Sequence, residues 1–355
     1  MTVQTVLVTG GAGFIGSSLA VEFKRRYLAK RVIAFDNLRR RGAELNLARL
    51  RQAGVEFRHG DVRCAADLIF AEPLDAIIEC SAQPSVLAGR DGQARYVIDT
   101  NLLGCVHCLE LARAHGATFV FLSTSRVYPT AMLASLRYEP CGRRFRLLDE
   151  QPVSGASGRG ISETFPLDGA RTLYGSTKLA SELLITEYVD MFGLRAVINR
   201  CAVVSGPWQM GHAEQGVFAH WMFAHAFGQP LVYIGYGGRG EQVRDVLHVA
   251  DLAELIEIQL LERQEMSGEV FNVGGGLENS VSLAEFTELC VKLCGARLEI
   301  GAVLANRPGD VPIYITDNTK VVKRFGWSPK RSVDRIAADL YEWIDSQREG
   351  LALLS

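Results

Sequence analysis

Tyr174 and Lys178 stand four residues apart in Tyr174-Gly-Ser-Thr-Lys178, at the head of a stretch with helical spacing that runs on through Leu179–Phe192. Residues four apart share a helix face, which sets the ammonium beside the phenol. A neighbouring cation lowers the pKa of a phenol from its usual ~10, and a phenolate so prepared can take a proton from an alcohol as hydride leaves the carbon. The pattern alone occurs by chance in many helices. It gains force from Ser123-Thr124-Ser125-Arg126, which directly follows the apolar run Phe119–Leu122. A hydroxyl at the carboxyl end of such a strand can share the proton in flight, because ligands bind at that edge of open α/β sheets.

A second constellation opens the chain. Thr9-Gly10-Gly11-Ala12-Gly13-Phe14-Ile15-Gly16 follows an apolar run and begins a helical pattern, with Gly10, Gly13 and Gly16 in G-x-x-G-x-x-G spacing. Gly10 permits the tight turn, Gly13 lets the backbone approach a pyrophosphate, and Gly16 brings helix close to strand. The helix amino terminus then offers its first N–H groups to phosphate. Asp36 closes the next apolar run, where a carboxylate would hold the adenosine ribose hydroxyls. A carboxylate there also repels a 2′-phosphate, so the cofactor predicted is NAD rather than NADP. Arg39, Arg40 and Arg41 begin only after Asn37-Leu38 and are assigned to solvent or to a substrate phosphate.

The elements that must position these groups alternate through the first half. Gln4–Val8, Arg31–Phe35, Val55–Arg58, Ala76–Cys80, Thr118–Leu122 and Arg195–Arg200 read as strands; Phe14–Arg26, Ala43–Gln52 and Asn101–His115 read as helices. That alternation predicts an α/β fold: a doubly wound parallel sheet of the Rossmann type, with a smaller mixed α/β substrate-binding lobe. The dinucleotide-binding domain is expected over 1–200, with a long loop at 129–172 and segments near 241–275 returning to it. The second lobe is expected over 201–355. The loop carries Arg137, Arg143, Arg144 and Arg146 and reads either as solvated surface or as a lid over a substrate.

Composition narrows the function classes. The 355 residues carry 38 Lys+Arg against 40 Asp+Glu, a net charge of −2, so no strong field draws the chain to nucleic acid or to a membrane surface. No apolar stretch reaches the ~18 residues of a membrane span, and the amino end reads as a strand rather than a signal peptide. Eight cysteines in a chain of this length suggest buried thiols in a reducing cytoplasm rather than a disulfide scaffold. Cys105 and Cys108 lack the second pair that a structural zinc site needs, and no metal is expected. His212 and His220 suggest no third ligand, and Trp208 and Trp221 read as core or as nucleobase-stacking residues.

Taken together, Thr9–Gly16, Asp36-Asn37-Leu38, Gly60-Asp61-Val62, Ser81-Ala82-Gln83, Asn101, Ser123–Tyr128, Tyr174–Lys178, Val243–His248 and Arg307-Pro308-Gly309-Asp310 resemble the extended short-chain dehydrogenase/reductase family, the NAD-dependent nucleotide-sugar epimerases and dehydratases. The resemblance implies that Thr124, Tyr174 and Lys178 are catalytic. It implies that Gly10, Gly13, Phe14, Ile15, Gly16, Asp36, Asn37, Asp61, Val62, Ala82, Gln83 and Asn101, with Tyr174 and Lys178, hold NAD. Ser125, Arg126, Gln209, Gln215, Arg244, Arg307 and Asp310 would contact a nucleotide-diphosphate sugar, with the two later arginines on its diphosphate. The dehydratases usually place an Asp-Glu pair directly after the catalytic threonine, whereas Ser125 and Arg126 stand here. Without that acid, hydride return and epimerisation are expected. Gly206-Pro-Trp-Gln209, Glu214-Gln215-Gly216 and Glu241–His248 look most like the branch of CDP-paratose 2-epimerases. A UDP-sugar 4-epimerase and an NAD(P)-dependent nucleotide-sugar reductase or dehydrogenase are the alternatives. A homodimer through a four-helix bundle of Asn101–His115 and Tyr174–Phe192 is also implied. Two positions depart from the pattern: Glu79-Cys80 stands where many members open the motif with histidine, and Pro129 follows Tyr128 where many have glycine.

Overall fold

A computed structural model describes residues 3–26, 28–90, 92–211 and 216–352 of the chain. Met1–Val127, Leu173–Arg200 and Leu252–Phe271 form one compact unit; Tyr128–Thr172, Cys201–Asp251 and Asn272–Ser355 form a second.

The chain opens with β1 (Val3–Thr9), α1 (Phe14–Arg25), β2 (Ala29–Asp36), α2 (Asn46–Gln52), β3 (Glu56–His59) and β4 (Ala76–Glu79). β1 pairs in parallel with β2 on one side and β4 on the other, and β2 pairs with β3. Near-continuous apolar runs suit these strands because helices bury both faces of the sheet. α3 (Ala94–Ile98) and α4 (Gly104–His115) follow, joined by a wide π-type turn at Asp99–Leu103. The helical stretch predicted from Asn101 therefore begins earlier, at Ala94, and Asn101 itself lies in the widened turn. Such turns recur where a helix must aim a side chain at a site. β5 (Thr118–Thr124) then pairs in parallel with β4 and is buried along its whole length.

The segment 129–172 is not an irregular loop. It holds α5 (Thr130–Ala134), a hairpin of β6 (Tyr138–Cys141) and β7 (Arg144–Leu147), and a short pair, β8 (Ala156–Ser157) and β9 (Gly160–Ile161). It clusters with the second unit rather than the first. Two of its arginines help to explain why, and the third acts within the segment. Arg143 pairs with Glu288 at 2.6 Å, Arg144 donates to the Ser280 carbonyl at 3.0 Å, and Arg146 pairs with Glu139 across the hairpin.

The chain returns to the first unit as α6 (Leu173–Phe192) and β10 (Ala196–Cys201). It then builds β11 (Val203–Ser205), α7 (Val217–Phe227), β12 (Leu231–Ile234) and β13 (Val243–His248). α8 (Val249–Leu261) and β14 (Glu269–Val273) complete the large sheet, ordered β14-β10-β5-β4-β1-β2-β3. Leu252–Phe271 is the segment of this stretch that clusters with the first unit. The order reverses between β1 and β4, and the carboxyl ends of those strands open the crevice where ligands bind in doubly wound sheets.

The rest of the second unit comprises β15 (Ser280–Ser282), α9 (Leu283–Cys294), β16 (Ile300–Val303), β17 (Ile313–Tyr314), α10 (Thr319–Phe325), α11 (Val333–Ser346) and α12 (Arg348–Ala352). β13 is central, flanked by β11, β15 and β17. Its core gathers α7, α9 and α11, with Phe218 edge-on to Phe286 at 4.8 Å. Trp221 stacks on Tyr233 and donates to the Thr287 hydroxyl, and Trp208 packs 6.0 Å from Trp343, so both tryptophans serve this core.

Candidate active site

α6 packs on β5 and on the turn Ser125–Val127, which brings Tyr174 and Lys178 to the edge where Thr124 ends its strand. Thr124 is buried, and its hydroxyl oxygen accepts from the Arg126 amide at 3.2 Å. Lys178 is only 1% exposed, over the Phe121 ring with the ammonium 4.0 Å from its centroid. Its counter-charge is Glu79 at the end of β4, whose Oε2 lies 3.3 Å from Lys178 Nζ. Burial alone would lower the Lys178 pKa; the Glu79 carboxylate overturns that and raises it, with Tyr174 adding to the same direction. In sequence Glu79 stands out only as a departure from histidine, although a carboxylate closing the buried run Ala76–Ile78 is itself a signal.

Two further ties hold this edge together, and neither was read from sequence. Ser123 donates to Glu182 Oε1, and Glu182 accepts from Arg200 Nε at 3.1 Å and Nη2 at 2.7 Å, all three residues being buried. The pair, with Ser123, ties α6 to β5 and β10 beneath this edge. Asn101 accepts from the Gln83 amide at 2.7 Å, and its Nδ2 donates to the Gln83 carbonyl at 3.2 Å and to the Thr177 hydroxyl at 3.1 Å. It thus clamps the segment after β4 to the turn of α6 between Tyr174 and Lys178.

At the opposite side of the crevice the glycine turn is tight for stated reasons. Gly10 has φ +59°, and a Cβ there would lie 2.8 Å from the Cys80 carbonyl oxygen; a Cβ at Gly16 would lie 2.2 Å from that of Gly10. Gly13 differs. A Cβ there meets only the Gly10 oxygen, at 3.1 Å, and the residue begins α1 with no side-chain cap. Asp36 accepts from the Ala12 amide at 3.1 Å and the Leu38 amide at 2.8 Å, at the mouth of the same turn. Burial raises its pKa, against those amide hydrogen bonds.

Residues 6–274 match the model of the NAD dependent epimerase/dehydratase family. The chain belongs to that family. The CDP-paratose 2-epimerase of Salmonella typhi is 30% identical over 96% of this chain and 99% of its own length. The dTDP-glucose 4,6-dehydratase of Streptomyces niveus is also 30% identical, over 97% of this chain and 93% of its own. Among solved structures, the UDP-glucose 4-epimerase of Thermus thermophilus in complex with NAD superposes with a TM-score of 0.76 at 27% identity, covering 96% of this chain and 99% of that one.

As a member of the NAD-dependent epimerase/dehydratase family the chain is an enzyme that uses NAD, and its glycine turn fits that group. Chain packing forbids a side chain at Gly10 and Gly16, and at Gly13 it crowds one only against the Gly10 carbonyl oxygen, so glycine there could also admit the approach of a pyrophosphate. The uncapped amides of Phe14 and Ile15 could receive phosphate, and Asp36 could accept from ribose hydroxyls. Beside them Asp61 pairs with Arg63 at 2.6 Å and accepts from Asn37 at 2.9 Å; the Arg63 hydrogen bonds hold its carboxyl well below the usual range. Val62 is buried, and its carbonyl bonds the His107 ring at 2.7 Å. Arg39 lies over the Tyr96 ring, 4.3 Å from its centroid, so this arginine has a partner within the fold. Ala82 and Gln83 lie half-buried in the segment that Asn101 clamps.

The remaining candidates lie in the second unit, apart from Ser125 and Arg126, which occupy the turn after Thr124. Arg244 on β13 is fixed by Asp310 Oδ1 at 2.6 Å and the Val311 carbonyl at 2.7 Å. Asp310 is therefore first an orienting partner of that arginine. Arg307 is half-buried three residues earlier, where the Asp310 amide bonds its carbonyl. Gln209 braces the turn after β11, accepting from the Ser205 hydroxyl and donating to the Val204 carbonyl. Gln215 and His212 lie outside the described residues. No described helix is long and apolar enough to cross a membrane, and no cluster of metal-ligating side chains occurs among the described residues.

Proposed function

We propose that the enzyme epimerises a nucleotide-diphosphate sugar by transient oxidation to a keto-sugar, at carbon 2 of a CDP-linked sugar. The carrying observation is the pairing of an intact Thr124/Tyr174/Lys178 set with Ser125 and Arg126, neither of them an acid, directly after Thr124. NAD supplies the acceptor and donor of the hydride. Tyr174, held as a phenolate by Lys178, takes the proton of one ring hydroxyl, and Thr124 hydrogen-bonds the same oxygen. The keto-sugar turns about its link to the diphosphate and presents its other face. Tyr174 then returns the proton as the hydride comes back with opposite configuration. Arg244, set by Asp310, and Arg307 hold the diphosphate through that rotation. The similarity to the CDP-paratose 2-epimerase favours the nucleotide and the carbon. Proton NMR of CDP-, UDP-, GDP- and dTDP-sugars incubated with the enzyme tests it, the sugar-ring couplings showing which centre inverts; a CDP-sugar inverted at carbon 2 is expected.

We further propose a cytoplasmic homodimer that joins α4 and α6 of two copies as a four-helix bundle. Leu103 beside α4, and Leu183, Met191 and Phe192 on α6, leave their side chains exposed, Leu183 by 63%. All eight cysteines are free thiols, in keeping with a reducing compartment, although Cys64 and Cys141 are exposed rather than buried as the sequence suggested. Sedimentation of the wild type and of Leu183→Glu tests the assembly, the variant being expected to run as a monomer.

A further inference from the structure

Glu79 and Lys178 bury two opposite charges at the base of the crevice, with side chains 1% and 2% exposed. Glu79 is the one charged residue of β4, whose other residues are alanine and isoleucine. Glu79 Oε1 is buried and has no hydrogen-bond partner among the described residues, while Oε2 accepts from Lys178. A lone buried charge is costly, and the loss of either partner strands the other. The groups facing the pair are few. The Ser81 amide follows Glu79 on its own segment, Tyr174 lies on the helix of Lys178, the ring of Phe121 comes from β5, and Cys105 and Cys108 come from α4. Burial pushes the Cys105 thiol up to about 12 and Cys108 well above the ordinary range, so both remain neutral. Lys178 is thus the one cation among the groups that face Glu79.

We propose that Glu79 is a positioning residue, the buried counter-ion that keeps Lys178 charged and in place and that tempers how strongly Lys178 acts on the Tyr174 phenol. This rests on the reading of Tyr174 and Lys178 as the proton-handling pair. An anion 3.3 Å behind the ammonium does two things. It favours the protonated lysine, and it offsets part of the positive potential at the phenol. Both pKa values therefore stand higher than they would with a neutral residue at position 79.

The test is the pH dependence of kcat for the holoenzyme, its Glu79→Gln variant and its Glu79→Asp variant. Glu79→Gln removes the charge and keeps the shape. Both limbs of its profile should move to lower pH by about one unit or more, the scale of a close charge pair. Glu79→Asp keeps the charge and should keep the wild-type limbs. The ultraviolet absorbance of tyrosinate, taken as the difference from the same protein carrying Tyr174→Phe, should shift the same way without turnover. A Glu79→Gln profile that stays in place, or a Glu79→Asp profile that moves with it, overturns the proposal. Full activity in Tyr174→Phe would instead overturn the proton-handling reading beneath it. If Glu79→Gln does not fold, adding Lys178→Met should restore a cooperative thermal transition, because no charge is then stranded. A double variant no more stable than the single one overturns the pairing.

Discussion

Glu182 on α6 and Arg200 on β10 form a two-pronged ion pair, 4% and 5% exposed, directly beneath the strand that carries Thr124. Removing one partner strands the other, at a cost of ~3–5 kcal/mol. Glu182→Ala should lose about that much stability in chemical denaturation. Glu182→Leu combined with Arg200→Met should recover most of it, since a well-packed apolar pair leaves no charge behind. Equal loss in the single and double variants would mean that packing, not the ion pair, holds α6 on the sheet.

Tyr174→Phe removes the proton acceptor proposed above and nothing from the glycine turn. Turnover should fall at least ~10²-fold, the usual scale for a positioned acid or base. NAD binding, followed by the ultraviolet spectrum and by titration calorimetry, should persist. Retention of more than about half of the activity removes Tyr174 from the reaction.

The parts legible in the sequence are those whose partners are close along the chain. The glycine turn needs only β1, the start of α1 and Asp36, and Tyr174 needs only Lys178 one helical turn away. The roles of Glu79, Glu182 and Arg200 were invisible for a physical reason. Glu79 and Arg200 lie on strands and their partners, Lys178 and Glu182, on α6, so each pair forms only because α6 packs on the sheet that orders β10-β5-β4, Glu79 and Lys178 being 99 positions apart. The same limit explains the excursion at 129–172. Arg143 and Arg144 looked like a solvated or lid-like cluster because their acceptors, Glu288 and Ser280, lie far along the chain. Asn101 was assigned to the cofactor groove, and the structure adds a task no motif displays, the clamp between Gln83 and Thr177.

Asp36 has two tasks to reconcile. Its carboxylate accepts from Ala12 and Leu38 and could still accept from ribose hydroxyls with its remaining lone pairs. Asp36→Ala should weaken NAD binding and narrow its preference over NADP, measured by calorimetric titration of the apoprotein with each. Tighter NADP than NAD binding by the wild type would reverse the role given to this residue.

Arg244 and Asp310 make a paired prediction. Arg244→Ala should raise KM for the nucleotide sugar more than it lowers kcat, provided the diphosphate is held alike in ground and transition states. Asp310→Asn leaves the arginine in place but loosens its orientation, so its KM should rise by a smaller factor. Arg307→Ala should resemble Arg244→Ala. Unchanged KM in both arginine variants, with the fold confirmed by circular dichroism, would take the diphosphate away from this part of the second unit.

The reaction itself makes a demand on isotopes. With no acid at Ser125 or Arg126 to drive elimination, the simplest closure of the cycle returns the hydride to the carbon that lost it. A substrate deuterated at that carbon should then keep its label in the product when the reaction runs in ordinary water. Extensive washout would point to deprotonation beside a carbonyl, for which Tyr174 would have to act on carbon rather than oxygen. Position 2 is the carbon expected to react. Deuterium there should slow any turnover limited by chemistry, and the same label at position 4 should leave it unchanged. The reverse pattern, an isotope effect from position 4 alone, would keep Tyr174, Lys178 and Thr124 in their roles and move the reacting hydroxyl to position 4. Either result is read from mass spectrometry of the product and from initial rates.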